Sequence, residues 1–97
     1  MKSDQLKVND IKSCASLFRT CSHPVRIRII SYLNGESHCV FEIQDKIGFP
    51  ENETSQHLRK LLRIGVVKNE RIGKRMYYSL TPGIIERINE AVKILGA

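Results

Sequence analysis

Between Thr54 and Leu80 the chain carries seven lysines and arginines (Arg59, Lys60, Arg63, Lys68, Arg71, Lys74 and Arg75) against one acid, Glu70. This stretch alone accounts for the formal net charge of +6; the remaining charges cancel. Cations confined to one short stretch hold a polyanion on one surface, which is the footprint of nucleic-acid binding by phosphate neutralisation. A second chemistry is offered by Cys14, Cys21 and Cys39. An odd number of cysteines without a C-x-x-C pair is neither a disulfide framework nor a structural zinc site, so thiol reactivity is what remains. No glycine-rich phosphate loop occurs, and no nucleophile, base and orienting residue group together by motif, so an enzyme is not expected.

Ninety-seven residues at 41% hydrophobic content make one domain spanning residues 1–97. A chain of this size buries a core yet exposes a large share of its surface, so pairing with a second copy is a natural source of stability. No apolar run approaches the roughly 20 residues of a membrane span. The N-terminus, with Asp4 and Asp10 among polar residues, lacks the apolar centre of a signal peptide. A cytoplasmic protein without a membrane partner is expected.

The elements that must position these residues follow from periodicity. Leu6, Val8, Ile11, Cys14, Ala15, Leu17, Phe18 and Cys21 recur at helical spacing and predict a first helix from about Asp4 to Thr20. Pro24 suits the first turn of a second helix, His23 its cap, and Asn34-Gly35 its end. After an extended Glu36–Cys39 connection, Val40, Ile43 and Ile47 define a third helix closed by Gly48, with Cys39 near its N-cap. Pro50 then opens a fourth helix that turns Thr54, Leu58, Leu61 and Leu62 inward. At 100° per residue, Asn52, Gln56, Arg59, Lys60 and Arg63 point the other way. A helix burying leucines and displaying amides and cations is suited to phosphates and base edges. A two-stranded wing follows, turning at Ile72-Gly73-Lys74, with one of Tyr77 and Tyr78 on the core side and the other on the surface. Thr81-Pro82 reads as N-cap and N1 of a last helix ending at Gly96.

Three ordered blocks of this chain resemble the ArsR/SmtB family of winged helix-turn-helix repressors. Phe18-Arg19-Thr20-Cys21-Ser22-His23-Pro24-Val25-Arg26-Ile27-Arg28-Ile29 is similar to the family's opening, in which an acid or histidine precedes P-x-R-x-x-I. Thr54-Ser55-Gln56-His57-Leu58-Arg59-Lys60-Leu61 is similar to its V-S-x-H-L-x-x-L helix. Gly65-Val66-Val67 through Gly73-Lys74-Arg75-Met76-Tyr77-Tyr78-Ser79-Leu80 is similar to its wing. The resemblance implies a mainly α winged helix-turn-helix fold of five helices and a small β-hairpin, homodimeric through the first and last helices. It implies that Ser55, Gln56 and His57 face DNA, and that a pseudo-palindromic operator in double-stranded DNA is read with half-sites ~10 bp, or a multiple of that, apart. Asn52 and Glu53 stand where relatives carry small hydroxyl residues; Glu51 and Glu53 also suit the positive end of the helix dipole.

The resemblance further implies a sensing site at the start of the third helix, where relatives carry two cysteines. Here the stretch is Ser37-His38-Cys39-Val40-Phe41-Glu42-Ile43, so Cys39 matches the first thiol and Phe41 replaces the second. A thiol at a helix N-terminus has its thiolate stabilised by backbone N–H groups. Cys39, with His38 beside it and Cys14 as partner, is therefore the candidate sensor for a metal or metalloid ion or a thiol-reactive signal, whereas Cys21 is expected in the core. The last helix, with Glu86 and Glu90 and no histidine, lacks the zinc site some relatives build there. The DNA-contacting set is Asn52, Ser55, Gln56, His57, Arg59, Lys60, Arg63, Arg71, Lys74 and Arg75. Two alternatives are a DNA-binding regulator with no chemical sensor and, motivated by Glu51 and Glu53, a winged-helix protein-interaction module.

Overall fold

The computed structural model describes residues 8–96. Five helices and three short strands follow in the order α1 (Val8–Cys21), α2 (Pro24–Leu33), β1 (His38–Cys39), α3 (Val40–Ile47), α4 (Glu51–Arg63), β2 (Val67–Ile72), β3 (Arg75–Leu80) and α5 (Ile84–Gly96). The expected segment Asp4–Lys7 of the first helix lies outside the described residues. None of the described helices is long and apolar enough to cross a membrane.

Local signals fix the start of α2 and the end of α3. The His23 side chain caps α2 by accepting a hydrogen bond from the Val25 N–H at 3.2 Å, and Pro24 occupies the first turn, where no intrahelical N–H is needed. Gly48 ends α3 at φ +81°, a left-handed conformation that side chains with a Cβ resist. Only Gly48, Phe49 and Pro50 separate α3 from α4, which forms the helix-turn-helix pair.

Ile29, Leu33, Ile43, Leu58, Leu61 and Val66 are buried to 1% exposure or less and bring α2, α3, α4 and the start of the wing onto one core. Thr54 is fully buried beside them, and its hydroxyl reaches the Phe49 carbonyl at 3.4 Å. α1 packs mainly against α5. Cys21 is buried in the core, as its apolar position requires, and burial pushes its thiol pKa up despite the opposing charge of Arg26.

β2 and β3 pair antiparallel from Val67 opposite Leu80 to Ile72 opposite Arg75. Gly73 and Lys74 form a two-residue loop with positive φ at the glycine alone, the primed turn that matches strand twist. The wing is larger than the expected hairpin: His38 pairs with Tyr78 and Cys39 with Tyr77, so β1 adds a third strand in the order β1-β3-β2. Tyr78 packs on the core, and Tyr77 lies on the opposite face of β3 with Ser37 and Lys68. Thr81 does not cap α5. Its hydroxyl donates to the Gly65 carbonyl at 2.7 Å, its backbone N–H donates to the Val66 carbonyl, and α5 begins only at Ile84. The two hydrogen bonds join the residue after β3 to the connection between α4 and β2. The architecture is a winged helix-turn-helix.

Candidate nucleic-acid interface

The outward face of α4 follows from its inward one. With Thr54, Leu58 and Leu61 held in the core, helical geometry turns Asn52, Gln56, Arg59, Lys60 and Arg63 outward, and all five are exposed. Arg71 and the loop residues Lys74 and Arg75 are exposed on the wing, and β2 packs against α4. Among the described residues, none of Arg59, Lys60, Arg63, Arg71, Lys74 and Arg75 has a carboxylate within 4.0 Å. Six exposed cations with no paired carboxylate among the described residues present a positive field to solvent, where a polyanion neutralises it.

Ser55 and His57 are half-buried rather than exposed. The His57 ring packs against the His23 ring, with centroids 4.5 Å apart and planes tilted by 50°. Its Nδ1 accepts a hydrogen bond from Arg26 Nε at 3.2 Å. The His57 pKa is lowered, first by burial and then by the nearby positive or ionisable His23, Arg26 and Lys60, with Glu53 acting the other way. The lowered pKa favours the neutral ring, and the Arg26 Nε–H donating to Nδ1 requires a lone pair there. Arg26 stands at the arginine of the P-x-R-x-x-I block, but nothing in the sequence paired it with His57. Its partner is 31 residues away, and no local spacing signals the pair.

The candidate sensor takes an unexpected form. Cys39 occupies the N-cap of α3 and is only 1% exposed. Its backbone N–H donates to Glu42 Oε1 at 2.9 Å, and this bond, ahead of the nearby His38, holds the Glu42 carboxyl below the ordinary carboxylate range. The Cys39 sulfur lies 3.9 Å from Nη1 of Arg75, whose guanidinium also sits 5.8 Å from the centre of the Phe41 ring. His38 stacks on Tyr32, with ring centres 4.1 Å apart, and its Nδ1 is 3.6 Å from Glu42 Oε1, too far for a hydrogen bond.

These donors do not fit a metal ion. Phe41, 60% exposed, stands where a second thiolate would be needed, a guanidinium faces the sulfur, and no group of three or more histidines, cysteines or carboxylates converges among the described residues. Cys14 lies on α1, but its side chain falls outside the described ones.

The helix-turn-helix and the first half of β2 coincide with a known family pattern. Residues 23–69 match the model of the arsR family of bacterial regulatory proteins. The HTH-type transcriptional regulator Rv0081 of Mycobacterium tuberculosis is 39% identical over 83 residues, which cover 84% of this chain and 73% of that one. Its crystal structure superposes with a TM-score of 0.74 at 38% identity, covering 88% of this chain and 87% of that one. The transcriptional repressor SmtB of the same organism is 37% identical over 70 residues, which cover 72% of this chain and 52% of SmtB, so the match spans about half the length of that relative. The crystal structure of the transcriptional repressor BigR from Xylella fastidiosa has a TM-score of 0.72 at 29% identity, covering 95% of this chain and 99% of that one. With its helix-turn-helix, wing and three sequence blocks in the same order, the chain belongs to the arsR family of bacterial regulatory proteins.

Proposed function

We propose that this protein is a dimeric transcriptional repressor, acting in the cytoplasm as one domain over residues 1–97, that reads a pseudo-palindromic operator in double-stranded DNA. The observation that carries the reading is the outward face of α4 with the adjoining wing, where exposed amides and cations lie opposite a fully buried leucine face. Asn52, Ser55, Gln56, His57, Arg59 and Lys60 address the major groove and its rims, and Arg63, Arg71, Lys74 and Arg75 address phosphates. Its activity is binding and not turnover, in keeping with relatives named as regulators and repressors.

The dimer is supported by an apolar groove of about 350 Å³ between α1, α2 and α5, lined by Leu17, Phe18, Ile27, Ile30, Ile85 and Ile88. Phe18 and Ile27 are about half exposed there, and Val92 on α5 is 46% exposed. Such a patch on a chain of this size marks a contact surface.

The finer reading is that a thiol-reactive signal switches DNA affinity through Cys39, with Cys14 and His38 as accessory residues. It is favoured by the 3.9 Å approach of Arg75 to the Cys39 sulfur, because a modified sulfur alters the surroundings of a wing cation. Fluorescence anisotropy with duplexes from the protein's own upstream region tests the whole reading. Nanomolar operator binding that far exceeds binding to random duplex is expected, and mass measurement in solution should give twice the chain mass. Binding to no duplex at low salt, with a stable complex to another protein, would establish a protein-interaction module instead. If a Cys14, Cys39 double serine variant and the wild type keep equal affinity with and without oxidant or thiophilic metal, the regulator has no chemical sensor.

A further inference from the structure

Arg26 makes two hydrogen bonds that reach out of its own helix in different directions. Nη1 donates to the Thr20 carbonyl at 3.1 Å, in the last turn of α1, and Nε donates to His57 Nδ1 at 3.2 Å, in the middle of α4. A cation at a helix C-terminus satisfies an orphan carbonyl and suits the negative end of the dipole. The second bond has a chemical consequence. A guanidinium in a protein is always protonated and only donates, so the nitrogen it meets must offer a lone pair, and the proton of the neutral ring then sits on Nε2. His23 supports the same arrangement from the other side, because its own Nδ1 is occupied by the Val25 N–H and its ring packs against that of His57.

We propose that Arg26 is a positioning residue for DNA reading: it ties α4 to the end of α1 and holds His57 as a neutral Nε2–H donor, matched to an acceptor such as a purine N7, a guanine O6 or a phosphate oxygen. The proposal rests on the DNA-reading function above. Arg26 itself touches no DNA. It acts by fixing which hydrogen-bonding group α4 presents and at what angle the helix leaves the core. The groups facing the His57 ring are His23 at the cap of α2, Arg26 on α2, and Lys60 and Glu53 from its own helix. A second proton on His57 would set two donors against each other and break the tie to α1.

Two measurements test this on the full chain. In the free protein, ¹⁵N NMR of the imidazoles should show His57 as the Nε2–H tautomer, titrating below an ordinary histidine. Arg26→Met, which keeps the apolar stem, should mix the tautomers and move the titration upward. An unchanged tautomer and titration in that variant would refute the tie.

In DNA binding, Arg26→Met should lower the operator-to-random affinity ratio by about tenfold, the scale of one lost charged hydrogen bond, with an unchanged salt slope. Arg26→Lys should recover part of the ratio. Adding Arg26→Met to His57→Ala should cost no further discrimination, since residues acting through one another are not additive. A slope reduced by about 1 would make Arg26 a phosphate contact instead. Parallel weakening on both duplexes, tracking a lowered melting temperature, would make it a purely structural residue; either result overturns the proposal. Should the wild type bind no duplex, the DNA-reading function fails, while the NMR comparison still decides whether Arg26 sets the tautomer.

Discussion

Removing the cation at the tip of the wing has a magnitude that can be worked out before the experiment. Lys74 is exposed, sits in the two-residue β2–β3 loop and has no carboxylate partner among the described residues, so Lys74→Ala should leave the fold intact. Each phosphate neutralised in B-DNA contributes about 0.9 to the slope of log affinity against log salt. The variant should therefore show a slope shallower by about 0.9. Between ~50 and ~200 mM salt the wild type should lose roughly threefold more affinity than the variant, so the variant's handicap shrinks as salt rises.

Adding Arg71→Ala should double the slope change to about 1.8. Arg75→Ala should change it by less than Lys74→Ala, because the Arg75 guanidinium is held near the Cys39 sulfur and the Phe41 ring. Anisotropy titrations at five salt concentrations, on operator and on random duplex, provide the slopes. The decrement should be the same on both, since phosphate contacts carry no sequence information. Parallel wild-type and Lys74→Ala lines would remove the wing from the interface and refute the reasoning.

Leu58→Ala opens a cavity at a fully buried site and should cost ~2–5 kcal/mol, read from urea or thermal unfolding. Gly73→Ala forces a Cβ into a loop residue at φ +64° and should destabilise by about 1–2 kcal/mol, with Gly73→Asn milder, in the same assay. Glu42→Gln weakens the cap of α3. Because the folded-state carboxyl pKa is depressed, its stabilising contribution is present above the ordinary carboxylate value and is lost as pH falls through the folded value. The wild type should therefore be the more stable protein at neutral pH, and the two unfolding curves should converge in acid.

What the sequence by itself determined is whatever rests on local spacing. The inward leucines of α4 and their exposed counterparts, Arg59, Lys60 and Arg63, follow from a period of 3.6 residues. The α3 terminus follows from Gly48, the wing turn from Gly73, and the net charge of the interface from simple composition. His23 as the α2 cap was legible because a cap needs only an acceptor next to a helix start.

Tertiary structure decided what depends on residues brought together from distant positions. A two-residue strand such as β1 has no periodicity to detect and exists only because β3 lies beside it. Thr81 looked like a cap until the Gly65 carbonyl came within reach of its hydroxyl. The accessibility of Cys39 and the company of its sulfur, an arginine from the wing, could not be read from a helix N-terminus. The same holds for His57, whose pKa is lowered first by burial and whose Nδ1 is engaged by an arginine on another helix: electrostatic and hydrogen-bonding environments are properties of through-space distance, which one-dimensional spacing does not encode.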